Sequence, residues 1–272
     1  MEAGEHARRR PVGRRPLHRR RRRGALDTVP REGGRVTAAS SLSAVAVDPR
    51  DIDAVFFDFD GVIVESNEIK IEAFRRLYEP HGDEVVDRVV EEHVRHEGVS
   101  RVVKLERFHR EFLGIDLDAD GLAELAETYS GMVEDVVAAC DAVPGAVEAL
   151  AAWSAHCPLY VVSGTPQDEL RRIVARRGLD GFFASVFGSP RVKPDIVGGE
   201  LRRIGVAAER TLVVGDSVTD FDCARSLGAR FLGRVPGWRE SRFPAGTDIV
   251  EDLWPLAQAG TAAARPRAEA GR

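Results

Sequence analysis

From residue 51 onward the chain alternates short, uniformly apolar runs with longer stretches whose apolar residues recur every three or four positions. Ala54–Phe57 (AVFF), Leu159–Val162 (LYVV) and Thr211–Val214 (TLVV) lack the polar alternation of a half-solvated strand. Such runs read as strands covered on both faces. Ser185–Phe187 and Arg230–Leu232 are weaker strand candidates. Helical periodicity fills the intervals near 144–155, 166–177, 194–204 and 217–227, and Pro144 and Pro166 stand where first-turn prolines belong. This order predicts an α/β fold: a Rossmann-like parallel sheet core flanked by helices.

The interval 66–140 departs from that alternation. Ile69/Ile71/Phe74/Leu77, Val85/Val86/Val89/Val90 and Val102/Leu105/Phe108/Phe112 repeat at helical spacing, and a further helix is expected from about Asp120 to Ala139. No strand pattern interrupts them. An inserted all-helical subdomain over 66–140 is therefore predicted, dividing an α/β core of residues 51–65 and 141–257.

Composition narrows the function classes. The 272 residues are 43% hydrophobic and 31% charged, ordinary for a globular protein, and no run approaches the roughly 18 apolar residues of a membrane helix. Cys140, Cys157 and Cys223 are odd in number and contain no Cys-x-x-Cys pair, which argues against a disulfide scaffold or a thiolate zinc site and for a reducing, cytoplasmic setting. The net charge of −5 conceals an asymmetry: residues 1–50 carry 13 Lys+Arg against 5 Asp+Glu, the remainder 26 against 39. Arginines cluster between Arg8 and Arg23, broken by Pro11, Gly13 and Pro16 without apolar periodicity. Residues 1–50 are thus predicted to be a disordered extension, and 258–272 a disordered tail. A nucleic-acid-binding arm is the alternative function for the arginines, but aromatic stacking residues are missing among them. Neither nucleic acid nor membrane is expected as a partner, and oligomeric state is not legible.

Ligands of open parallel sheets bind beyond the carboxyl ends of the strands, and polar motifs stand at four of those ends. The first strand is followed by Asp58-Phe59-Asp60-Gly61-Val62, the second by Ser163-Gly164-Thr165. Gly188-Ser189-Pro190-Arg191-Val192-Lys193 follows the third, and Gly215-Asp216-Ser217-Val218-Thr219-Asp220 the fourth. Each alone is a common turn or cap pattern. Together, in this order, they resemble the haloacid-dehalogenase-like (HAD) superfamily of aspartate-nucleophile phosphotransferases, over about residues 52–256, in its phosphoglycolate phosphatase and β-phosphoglucomutase-like subgroup with a helical C1 cap.

The residue types suit attack on a phosphate monoester. Asp58 fits the nucleophile, forming an aspartyl-phosphate that splits one hard displacement into two. Asp60, two residues on, fits the proton donor to the leaving alcohol and later the base toward water, which predicts a pKa raised relative to that of Asp58. Carboxylates at 58, 60 and 216 would repel one another without a cation, and oxygen ligands without histidine or thiolate suit Mg²⁺. The resemblance implies that Asp58 and Asp216 bind the metal through side chains and Asp60 through its backbone carbonyl. It makes Asp220 a second acidic position that reaches the metal through water or orients Lys193. Ser163 and the Gly164 N–H are expected to bind phosphate, with Lys193 as the stabilising point charge.

The insertion follows the first motif directly, where the resemblance places a cap hinged near Val64–Asn67 and Ala138–Val143. Glu65-Ser66 departs from the Asp-Ser of many relatives, which puts contacts beside the hinge in doubt. Asn67, Glu68 and Lys70 are candidates to face substrate or to form a solvated first turn. His81, His93, His96 and His109 read as surface histidines, and Arg101, Lys104 and Arg107 as a solvated basic stripe. The expected function is a Mg²⁺-dependent phosphatase for a small phosphorylated metabolite such as a sugar phosphate or phosphoglycolate-like acid. The alternative is a β-phosphoglucomutase-like mutase, which returns the phosphoryl group to its substrate.

Overall fold

A computed structural model describes residues 47–263. Among these, six strands form one sheet in the order β3-β2-β1-β4-β5-β6, all pairs parallel. The strands are β1 (Ala54–Phe57), β2 (Leu159–Pro166), β3 (Phe183–Ser189), β4 (Thr211–Gly215), β5 (Arg230–Arg234) and β6 (Ile249–Val250). The five expected strands are present, four of them longer than their apolar runs. The two-residue β6 was missed because so short a pair carries no periodicity. Pro166 occupies the N-cap of α6 (Gln167–Arg176), and Pro144 lies before the Gly145 N-cap of α5 (Ala146–Ser154), so neither is a first-turn proline.

Pairing accounts for the uniform hydrophobicity of β1. Phe57 lies opposite both Val161 and Val214, so the strand is central and every residue in it is buried. Its pleat divides two apolar layers. Val55 and Phe57 pack with Leu150, Trp153, Leu170 and Ile173 on α5 and α6. Ala54 and Phe56 pack on the other face with Ile196, Val197 and Leu201 of α7 (Lys193–Ile204) and Cys223 and Ala224 of α8 (Val218–Leu227). Burying each such leucine- or valine-sized side chain is worth about 1.5–3 kcal/mol. The last helix, α9 (Trp254–Ala263), packs Leu256 into the first layer, where Trp153 donates from Nε1 to the Leu256 carbonyl at 2.8 Å.

Two boundaries need correction. α9 continues past residue 258, where a disordered tail was expected, because its apolar face closes the layer around Trp153. At the other end Val47 is buried and Asp48 caps a 3₁₀ turn at Pro49–Asp51. Residues 1–46 and 264–272, with the arginine clusters, lie outside the described residues. No described helix is long and apolar enough to cross a membrane.

Between β1 and β2 the chain forms α1 (Asn67–Tyr78), α2 (Asp83–Arg95), α3 (Arg101–Phe108), a π turn at His109–Leu113, and α4 (Ala119–Ala139). Their apolar stripes meet around Phe74, whose ring lies 4.6 Å from that of Tyr129 and 5.8 Å from that of Phe108. The entry and exit of this insertion run side by side: Glu65 N donates to the Asp141 carbonyl at 3.0 Å and Val143 N to the Ile63 carbonyl at 3.0 Å.

Candidate active site

Because β1 lies between β2 and β4, their carboxyl ends deliver their motifs to one crevice. Asp58, immediately after β1, donates from its N–H to the Val214 carbonyl at 2.8 Å. Its buried carboxylate faces Lys193 Nζ at 2.9 Å. Lys193 opens α7 and also reaches Asp220 Oδ1 at 2.5 Å. Asp220 is held in turn by a capping box at the start of α8, where Ser217 N and Oγ donate to its Oδ2. A pattern that begins a helix thus also aims the lysine.

Asp60 faces the insertion. Its Oδ1 accepts from Ser66 Oγ at 2.6 Å, and its Oδ2 from Thr165 Oγ1 at 3.0 Å and Ser163 Oγ at 3.2 Å. Lys70 Nζ lies 2.5 Å from the same Oδ2 and 2.9 Å from Thr165 Oγ1. Gly61, between the two motif carboxylates and α1, has φ +71°. A side chain there would collide with Asp216 and Asn67, a Cβ standing 2.1 Å from Asp216 Oδ2. Asn67 instead donates to that oxygen at 2.7 Å. Asn67 and Lys70 therefore both face the crevice, while Glu68 is exposed.

The electrostatics reverse the expected order of the two motif carboxylates. Burial pushes Asp58 up to about 7, against the pull of Lys193 and with the charges of Asp220 and Asp60 adding to the rise. Burial also acts to raise Asp60, but the Lys70 ammonium and the hydrogen bonds from Ser66 and Thr165 outweigh it and hold Asp60 at about 2. The missed partner was Lys70, whose position over Asp60 depends on the path of the chain between β1 and α1. Asp216 is raised well above the usual carboxylate range by burial, then by Asp58, Glu97 and Asp220. Lys193 is raised, because Asp220 and Asp58 overcome the cost of its burial.

Asp58, Asp216 and Asp220 each offer a carboxylate oxygen within 4.8 Å of the others, the one such group found among the described residues. Crowded buried carboxylates without histidine or cysteine form a hard-oxygen set that fits a divalent cation such as Mg²⁺. Both Asp220 oxygens are already engaged by Lys193 and Ser217. Asp220 is therefore better suited to positioning Lys193 than to direct ligation.

Three expectations about the insertion need correction. Arg101 and Lys104 are buried, and only Arg107 of that stripe is substantially exposed. Arg101 makes a two-pronged ion pair with Glu169 at the start of α6, at 2.6 and 2.8 Å, and donates to Ser130 Oγ at 2.9 Å. His93 and His109 are buried as well, packed against Phe74 and Tyr78 respectively. Glu65, the departure from the Asp-Ser pattern, pairs with both terminal nitrogens of Arg234 at 2.6 and 3.0 Å, so its longer side chain has a partner in the core. The spacing of these residues was visible; which helix face was covered was not.

The insertion's loop between α2 and α3 completes the wall. Gly98 lies so close to Gly164 that a Cβ on the latter would stand 2.7 Å from the Gly98 carbonyl. Next to it Glu97 pairs with Arg239 at 2.7 Å and Arg242 at 3.6 Å. The partly open cavity is about 50 Å³, lined by Asp58, Asp60, Ser163, Gly164 and Asp216 from the core and by Lys70, His93, Arg101 and Lys104 from the insertion.

A parallel α/β enzyme with an aspartate-rich crevice at its central strand ends is the class this geometry defines. The family model for haloacid dehalogenase-like hydrolases matches residues 52–228, and the chain belongs to that family. It is 28% identical over 188 residues to a phosphorylated carbohydrates phosphatase of Thermotoga maritima, covering 65% of this chain and 82% of that protein. It is 29% identical over 203 residues to a phosphoglycolate phosphatase of Rhodospirillum rubrum, covering 71% and 83%. Among solved structures, CbbY of Rhodobacter sphaeroides in complex with phosphate shares the fold at TM-score 0.61 and 19% identity, over 78% of this chain and 99% of that one.

Proposed function

We propose that this hydrolase is a Mg²⁺-dependent phosphatase of small phosphorylated metabolites that works through an aspartyl-phosphate. The convergence of Asp58, Ser163 and Asp216 on one crevice, with Lys193 held against Asp58, carries the reading, and the phosphatase names of the two relatives support it. Asp58 Oδ attacks phosphorus while the ester P–O bond breaks and the leaving alkoxide takes a proton from Asp60. Water then attacks the aspartyl-phosphate, Asp60 takes a proton from it, and inorganic phosphate leaves. Asp58, Asp216 and the Asp60 carbonyl would hold Mg²⁺, which supplies positive charge against the phosphoryl oxygens. Ser163 Oγ and the Gly164 N–H bind those oxygens at the β2 end, and Lys193 supports both the nucleophile and the transferred group.

Lys70 keeps Asp60 ionised, the form that receives a proton in the second step. For the first step Asp60 takes up the proton it will donate from the monoanionic form of the arriving phosphomonoester, as Lys70 turns from Asp60 to the substrate oxygens. The helical insertion acts as a cap whose α1 brings Lys70 and Asn67 to the site and whose closure keeps bulk water out. A phosphate-release assay across a panel of phosphorylated metabolites tests the reading. Wild type with Mg²⁺ is expected to release inorganic phosphate rather than an isomerised sugar phosphate. Asp58→Asn is expected to fold and to lose at least ~1,000-fold in rate, since removal of a covalent nucleophile leaves little catalysis behind. Near-full activity in that variant would refute the mechanism.

A further inference from the structure

The cations above the crevice are not equivalent. Lys70 is matched by Asp60 and Arg101 by Glu169, each at hydrogen-bond distance. Lys104 has no such match: among the described residues its one hydrogen-bond partner is His93, Nζ to Nδ1 at 3.1 Å, and no carboxylate lies within ion-pair distance. Both side chains are nearly inaccessible, Lys104 at 5% and His93 at 6% exposure. Glu97, the nearest acidic neighbour on the same wall, is committed to Arg239 and Arg242. Two basic groups in contact, buried, with the charges of Glu97 and Asp60 acting on them only from beyond ion-pair distance, are costly to an empty protein.

Both residues line the same cavity as Asp58 and Asp60, on the wall opposite the strand ends. A phosphoryl group at Asp58 would be met from below by Ser163, Gly164 and Lys193. The rest of the substrate would then extend toward Lys104. We propose that Lys104, oriented by His93, binds a second anionic group of the substrate, a carboxylate or a second phosphate, and selects small phosphomonoesters that carry one. The inference rests on the phosphatase reading and names the substrate class of the same site.

Three further observations agree with it. Burial, helped by Lys70 and Arg101 and only partly opposed by Glu97 and Asp60, draws the Lys104 ammonium down to about 7, and an arriving anion would restore its charge. Burial, and after it the charge of Lys104, depresses His93 far below its usual range. The imidazole is thus neutral and accepts through Nδ1 from the ammonium, which keeps two further N–H donors. The cavity of about 50 Å³ suits a compact substrate with few carbons between its two charged ends.

The test compares three short substrates in the Mg²⁺-loaded full chain: 2-phosphoglycolate, 2-hydroxyethyl phosphate as its uncharged-end counterpart, and ethylene glycol bisphosphate. Wild type is expected to favour at least one doubly anionic substrate over hydroxyethyl phosphate by roughly 10–100-fold in kcat/KM, the span of one charge-assisted hydrogen bond. Lys104→Met is expected to erase that preference, mainly through KM. Lys104→Gln, which keeps a donor toward His93, is expected to erase it too and covers the case in which methionine disturbs packing. Whether phosphoglycolate or the bisphosphate shows the loss identifies the anion. An unchanged preference in both variants, or a wild-type preference for hydroxyethyl phosphate, would overturn the subsite. Acetyl phosphate, small and with a good leaving group, reports the chemical site by itself: failure of wild type to hydrolyse it would instead indict the phosphatase reading.

Discussion

The α/β core and the helical insertion both bring charged side chains to the crevice, but they hold them in different ways. In the core, Asp58, Lys193, Asp220 and Ser217 form a continuous chain of ion pairs and hydrogen bonds whose members follow strand ends or start helices. Each side chain there is positioned by the element that presents it. On the insertion, Lys70, Arg101 and Lys104 project from the faces of α1 and α3, and two of the three find their carboxylate only across the crevice in the core. The core's charges are thus held by one another, whereas Lys70 and Arg101 of the insertion are held by carboxylates that the core supplies. Chemistry at the strand ends and selection from the helices is the division this difference supports.

Three substitutions sharpen or break that division. The largest expected effect is on the core side. Asp60→Asn should lower turnover of alkyl phosphates by about 100-fold or more, with a smaller loss for p-nitrophenyl phosphate, because a good leaving group needs little help from an acid. Equal losses on both would remove Asp60 from the acid role.

Lys70→Met probes the boundary between the regions through stability. Asp60 has a folded pKa of about 2 against an ordinary value of 3.8, so its ionised form favours the fold. That stabilisation is complete above the ordinary value and is lost as pH falls toward 2. With divalent ions chelated, Lys70→Met should therefore cost about 2 kcal/mol at pH 6, and the cost should shrink as pH is lowered from 5 toward 2. Urea denaturation of both proteins across that range measures it. A cost independent of pH would mean that Lys70 acts through packing alone.

The smallest effect is expected at the contact between the insertion and the loop after β5. Arg239→Ala removes the 2.7 Å pair with Glu97, while Arg242 remains beside the same carboxylate at 3.6 Å and limits the loss. It should raise KM by ~2- to 5-fold while leaving kcat unchanged, because it favours the closed arrangement and touches no reacting atom. A fall in kcat of tenfold or more would place Arg239 in the chemistry and blur the proposed division.

The core was readable from the sequence because its signals are local. AVFF, LYVV and TLVV are apolar without alternation, so they had to be central strands, and the parallel order placed Asp58, Ser163 and Asp216 at one edge. The insertion was readable as helices but not as a surface. Arg101-x-x-Lys104-x-x-Arg107 has the spacing of a solvated stripe, yet Glu169 covers the first and His93 the second. Each partner stands on a different helix from its cation, so no pattern within α3 announces it. Asp60 failed in the same way: its motif suggested a carboxyl that holds its proton, and a lysine ten residues on held it ionised instead.

What the sequence determined alone was therefore five of the six strands, the identity of the strand-end groups and the helical nature of the segment between β1 and β2. Periodicity and strand order are one-dimensional properties, and they suffice for these. Tertiary structure decided which basic side chains were buried, which carboxylate met which cation, and in which direction the two motif aspartates were shifted. Those outcomes depend on distances of a few ångströms between residues far apart in the chain, where both the Coulomb attraction of a pair and the cost of losing water are set.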